Sequence, residues 1–234
     1  MEGVLMFTLK DVKIRRRTWL QTANIPTRHF GKVLSDCQDA PKKALEDVSR
    51  WISAVSDGKV IRVPGGPLCG KGMLLYGLPG RGKTTIAVSA IQQMMTTLAP
   101  EAFAPSPNKV LVRPCYFVTF NDLLELKGAT MDSDAEADEN RLYDGILGDC
   151  KDDAYNVRVL VLDDVGKEHA SLSGWQKNML HHVLRTRFNH GLPTIVTTNI
   201  SREDWVQVYG DATGSFAKEA FAYVPISQEN RDLR

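Results

Sequence analysis

One run carries the most explicit chemistry in this chain: Gly77-Leu78-Pro79-Gly80-Arg81-Gly82-Lys83-Thr84, the pattern G-x-x-x-x-G-K-[ST]. Closely spaced glycines let a backbone curl until successive N–H groups point at one centre, which suits phosphate oxygens. Lys83 offers a cation to β- and γ-phosphates, and the Thr84 hydroxyl suits Mg²⁺. Thr85 continues the cradle into a helix, whose N-terminal partial charge favours an anion. A second group, Asp163-Asp164, closes the apolar run Val159-Leu160-Val161-Leu162. Asp163 is placed to hold the magnesium shell, and Asp164 to orient and polarise an attacking water. Asn199, at the tip of another apolar run, is placed to sense a γ-phosphate.

These residues need strands that end where they stand. Met73–Tyr76 reads as a short apolar strand, and the helix after the glycine turn buries Ile86, Ala87, Ala90, Ile91, Met94 and Met95. Val159–Leu162 is apolar without alternation, as expected of a parallel strand buried on both faces. Cys115–Phe120 and Thr194–Thr197 read as further buried strands, and Ala222–Ile226 as a terminal one. Asn121 is expected to cap a helix over Asp122–Lys127. A helix over 41–56 carries the stripe Ala44, Leu45, Val48, Trp51, Ile52 and Val55. Ser173 is expected to cap a longer helix with the core stripe Trp175, Met179, Leu180, Val183, Leu184 and Phe188. Residues 201–208 and 213–221 read as short helices. The order β–loop–α, β–α, β–α, β–α implies an α/β fold, a three-layer P-loop NTPase with a mostly parallel sheet and a minimal C-terminal lid.

Composition bounds the rest. The 234 residues are 43% hydrophobic, enough for one domain with a core, and the net charge of +1 gives no global argument for a polyanion. Basic character is local: Lys10, Lys13, Arg15, Arg16 and Arg17 sit in a segment, residues 1–30, that reads as an N-terminal arm for a partner or DNA. Its other reading is a solvated helix face that packs through Trp19 and Leu20. Residues 31–234 then form the nucleotide-binding domain. Cys37, Cys69, Cys115 and Cys150 contain no C-x-x-C pair, as suits reduced thiols in a cytoplasmic protein. His181-His182 lack the partners a metal needs. The acids of 128–140 lack the calcium-loop pattern and read as a mobile loop. No apolar run is long enough to span a membrane.

Taken together, the residues resemble the AAA+ ATPases of the DnaC/IstB group, the bacterial and phage replicative-helicase loaders and transposition helpers. The resemblance runs from about Arg15 to the C-terminus. It rests on Asp163-Asp164-Val165-Gly166-Lys167-Glu168, then Trp175 and Arg187, then Pro193-Thr194-Ile195-Val196-Thr197-Thr198-Asn199. It matches Lys83 and Thr84 to Walker A, Asp163 and Asp164 to Walker B, and Asn199 to sensor 1. It implies ATP and Mg²⁺ as cofactors, hydrolysis of ATP, homo-oligomers in the ATP-bound form, and single-stranded DNA and a DnaB-like replicative helicase as partners. Arg185, Arg187 or the 10–17 cluster would supply the DNA contact. The group carries an arginine for the neighbouring subunit's nucleotide where this chain has Phe216, which implies slow hydrolysis; Arg202, Lys218, Arg231 and Arg234 are the possible substitutes. Three other readings stay open. One is an IstB-like transposition helper. Another is an ATP-gated DNA-binding adaptor with little hydrolysis. The last is a small P-loop kinase, which would need phosphate-clamping arginines on a lid.

Overall fold

The computed structural model describes residues 9–57, 70–103, 111–131, 137–166 and 174–227. Gly58, Cys69, Ser173, Arg231, Arg234 and the centre of the acidic stretch lie outside them. Five parallel strands form one sheet: β1 (Gly72–Tyr76), β2 (Cys115–Thr119), β3 (Val159–Val165), β4 (Thr194–Thr198) and β5 (Phe221–Pro225), in the order β2-β3-β4-β1-β5. The strands are short and almost wholly apolar because helices cover both faces. Successive residues split between two cores, as the two-residue strand period demands. Met73, Leu75, Phe117, Val159, Val161 and Ile195 face α1 (Leu9–Thr22), α2 (Lys42–Ser56) and α3 (Lys83–Thr97). Leu74, Val118, Leu160, Leu162 and Val196 face α4 (Phe120–Ala129), α5 (Ala137–Leu147), α6 (Gly174–Asn189), α7 (Trp205–Tyr209) and α8 (Asp211–Ala220).

The basic helix α1 is bound to the rest of the fold. Trp19 is buried, its indole N–H donates to Leu111 O at 2.9 Å, and the Phe117 N–H donates to Ala23 O at 2.9 Å. Arg16 is partly spent inside the fold, donating to Leu98 O at 3.1 Å. Trp19 thus packs this helix onto the fold, with Leu20 against the same core. The chain after it is fixed to α3: the Gln92 amide donates to His29 O at 2.8 Å and Lys32 O at 3.0 Å, and accepts from Gly31 N–H at 2.7 Å.

Several local expectations change. The cap of α4 is Thr119, whose hydroxyl accepts from Asp122 N–H at 3.1 Å, and Asn121 lies inside the helix. The polar stretch before residue 141 joins α5 from Ala137 onwards. Trp175 is 48% exposed and lies off the core stripe that Met179, Leu180, Val183 and Leu184 form. Among the described residues, everything after β4 is built into the α/β layers, with β5 hydrogen-bonded beside β1.

Candidate functional site

The glycine run leaves β1 at its C-terminal end and turns into α3. Gly77 has φ +151°, and a Cβ there would lie 2.5 Å from Ile226 O, so only glycine lets the loop pass the exit of β5. Gly82 precedes α3 at φ +82°, and a Cβ there would meet nothing within 4 Å. Its constraint is purely conformational, and the space beside it is open for a ligand. Leu78, Pro79 and Gly80 form the exposed rim, and Arg81, Thr84 and Thr85 are half-buried.

Lys83 opens α3 yet is only 7% exposed. Its ammonium donates to Gly77 O at 2.7 Å, Leu78 O at 2.8 Å and Asn199 Oδ1 at 2.7 Å, which spends all three protons. Burial pushes its pKa down, and the nearby carboxylates of Asp164 and Asp163 pull it back up. Asn199 is exposed and meets the loop because β4 lies beside β1, pairing Tyr76 with Thr198.

Asp163 is 3% exposed at the end of β3. The Thr84 hydroxyl donates to its two oxygens at 2.9 and 3.1 Å, and the Thr197 hydroxyl donates to Oδ1 at 2.6 Å. Burial raises the Asp163 pKa; the hydrogen bonds from Thr197 and Thr84 oppose that, Asp164 adds to it, and the Arg28 charge lowers it. Asp164 takes φ +58°, uncommon for a residue with a side chain. The pairing explains it. Leu162 faces Val196 and Val165 faces Thr198, so β3 gains one residue on β4 across the acid pair, a β-bulge. At this bulge the Asp164 N–H is held by Thr197 Oγ1 at 3.0 Å.

Lys83, Thr84, Asp163, Asp164 and Asn199 are thus brought to one end of three adjacent strands. The donor set fits a small divalent cation: a hydroxyl and a carboxylate already in contact, both hard oxygen ligands. The open cradle beside Gly80 and Gly82, at the positive end of α3, fits phosphate.

Two participants escape sequence reasoning. Thr197 links both acids, and its only signal is its place two residues before Asn199. Arg28 reaches Asp163 electrostatically from a segment far away in the chain, with nothing local to mark it. Two expected participants fall elsewhere. Arg187 is 0% exposed and cannot touch DNA; its guanidinium donates to the carbonyls of Ile146, Val157, Arg158 and Pro193 and to Thr194 Oγ1. Phe216 is 5% exposed and packs against Phe188 with ring centroids 5.4 Å apart, a core residue of α8. Of the four substitutes for its arginine, Arg202 lies over the Tyr223 ring at 4.8 Å.

Comparison with known proteins agrees with this geometry. Residues 113–217, a little under half the chain, match the family described as IstB-like ATP binding protein; the match takes in Asp163, Asp164 and Asn199 and starts after the glycine loop. A search of curated proteins finds no significant match. Among solved structures, the DnaC helicase loader is similar at TM-score 0.56 and 22% identity, over 86% of this chain and 100% of that one. DnaI is similar at TM-score 0.55 and 18% identity, over 87% and 95% of the two chains. AMPPCP-bound DnaA from Aquifex aeolicus is similar at TM-score 0.52 and 15% identity, over 81% of this chain and 47% of that one. These likenesses establish the fold as that of an AAA+ P-loop NTPase.

Proposed function

We propose that this chain is an ATP-binding protein of the DnaC/IstB group that hydrolyses ATP to place a replicative helicase on single-stranded DNA. The observation that carries the hydrolytic part is the contact of Thr84 with Asp163, with Asp164 beside it and Lys83 held to Asn199. Bound ATP supplies a γ-phosphoryl group whose acceptor is water. Lys83 moves its protons from the loop carbonyls to the phosphates while its bond to Asn199 records the change. Thr84 and Asp163 would hold Mg²⁺, which would supply positive charge to the phosphate oxygens. Asp164 takes the proton of the attacking water from a backbone position fixed by Thr197. The Asp163-Asp164 pair beside the strand that ends in Asn199 favours water over the kinase reading.

Phe216 in place of the expected arginine supports slow turnover, since a missing trans arginine costs roughly 10³–10⁵ in rate. The loader reading takes its support from the likeness to the DnaC helicase loader and DnaI. The match to the IstB-like family favours a second reading, a helper that presents DNA to a transposase. In either case the protein acts in the cytoplasm of a bacterial or phage-infected cell and assembles into homo-oligomers with ATP. Size-exclusion chromatography with ATP and a DnaB-like helicase is the test. Co-elution with the helicase only when ATP is present is the expected result, and no association with or without ATP ends the loader reading.

A further inference from the structure

The outward face of α6 has no role in the nucleotide site. We propose that its stripe Trp175, Asn178, His182, Arg185 and Asn189 is a contact for single-stranded nucleic acid, with Trp175 stacking on a base and the polar groups taking phosphates. The proposal rests on the DNA part of the function proposed above and gives it a location.

The stripe recurs every three or four residues, so it lies along one side of the helix. From Trp175 to Asn189 it spans roughly 21 Å, a few nucleotides of extended strand. Asn178, His182, Arg185 and Asn189 line an open groove of about 370 Å³ together with His181 and Thr186, and no carboxylate lines it. Arg185 has no carboxylate partner among the described residues. Its guanidinium instead lies over the Phe216 ring, 5.2 Å from the centroid, which holds the cation at the groove while leaving its N–H groups to a ligand. The side chains of Asn178, His182 and Asn189 make no hydrogen bond among the described residues, and His181 Nε2 is buried without one. Burial lowers the His181 pKa, and the charges of Arg185 and His182 lower it further, so Arg185 is the cation of the groove. Unspent donors converging beside an exposed indole are the parts of a stacking and phosphate-tracking surface. The replacement of the expected arginine by Phe216 acquires a physical consequence: the ring is the platform on which Arg185 rests.

The test uses the full chain and a fluorescein-labelled oligo-dT of about 20 nucleotides, followed by anisotropy across salt concentrations. Arg185→Gln is expected to weaken binding about 5–10-fold and to lower the salt slope by about one. Trp175→Ala is expected to weaken it about 10-fold. Of the four tryptophans, Trp19, Trp51 and Trp205 are buried, so oligo-dT should quench the emission of Trp175 selectively and leave Trp175→Phe unquenched. Unchanged ATP affinity in each variant verifies that the fold survives. Parental affinity in both Arg185→Gln and Trp175→Ala overturns the proposal, as does a parent that binds no oligo-dT. Loss of ATP-dependent self-association with oligo-dT binding intact also overturns it, by making the groove a face between copies. The loader reading fails separately, on helicase association measured without DNA.

Discussion

Two buried cations stand at opposite ends of the same strands, and they do opposite work. Lys83 lies at the C-terminal ends of β1, β3 and β4, with two acids near it and acceptors drawn from a loop and the exposed Asn199. Arg187 lies where β3 and β4 begin, with Thr194, Pro193, Val157 and Arg158 around it. Burial pushes the Arg187 pKa down to about 9, so the group keeps its charge at neutral pH, and no carboxylate among the described residues pairs with it. Its compensation is a closed set of oxygen acceptors that join α6, the end of α5 and the starts of two strands. The difference lies in exchangeability. Phosphate oxygens can replace the carbonyls around Lys83, whereas the acceptors around Arg187 are backbone carbonyls and one threonine hydroxyl fixed in the fold. A lysine has three freely rotating donors for such an exchange, and an arginine has a rigid fork suited to a fixed set.

The sharpest way to test this division removes the chemistry from the first site alone. Asp164→Asn is expected to lower ATP turnover by about 10²–10⁴ with ATP affinity kept, measured by phosphate release at saturating ATP. Parental turnover would show that Asp164 is not the base. The next effect belongs to the second site. Arg187→Met leaves several buried carbonyls unpaired and is expected to cost about 3–5 kcal/mol in urea unfolding, with little change in the ATP affinity of the fraction that folds. A variant as stable as the parent would mean that the acceptors around Arg187 are satisfied some other way.

Lys83→Ala is expected to weaken ATP binding by about 10–100-fold, the size of a charge-assisted contact, while the unfolding midpoint moves little. Equal losses of stability in Lys83→Ala and Arg187→Met would erase the distinction between the two cations. The smallest effect has the opposite sign. Burial raises the Asp163 pKa, so its charged form costs stability in the protein without nucleotide. A carboxyl raised in the folded state carries this penalty fully above its folded pKa and sheds it as pH falls to the ordinary value near 4. Asp163→Asn is therefore expected to raise Tm at pH 7 by about 2–4 °C, roughly 1 kcal/mol, and the gain should close towards about pH 4. A lowered Tm at pH 7 would mean that the hydrogen bonds from Thr84 and Thr197 outweigh the burial.

Much of the site is legible along the chain because its parts are local. The glycine loop must sit between a strand and a helix, and Asp163-Asp164 must close a strand buried on both faces. Each requirement is met within a dozen residues. The misreadings share a different cause. Trp175 fits the helical stripe by spacing, yet it lies near the start of α6, beyond the cover that α5 and α8 give to Met179, Leu180 and Val183. Arg187 reads as a charged surface residue, because nothing local shows that four carbonyls from distant segments will close around it. Asn121 is as good a helix cap as Thr119, and the extent of β2 chooses between them.

What the sequence determined is the identity of the candidate site residues and the end of each strand where they stand. Glycines at fixed spacing, a lysine, a threonine and terminal acids permit few other arrangements, since backbone conformation and strand burial are local constraints. The tertiary structure alone decided which of these groups touch. Placing β4 between β1 and β3 brings Asn199 to Lys83 and Thr197 to Asp163, and the bulge in β3 puts Asp164 at φ +58°. It alone also decided that one arginine of α6 is sealed into the core while the other rests on Phe216 facing outward. Burial depends on what the neighbouring helices cover, and spacing along one helix does not contain that information.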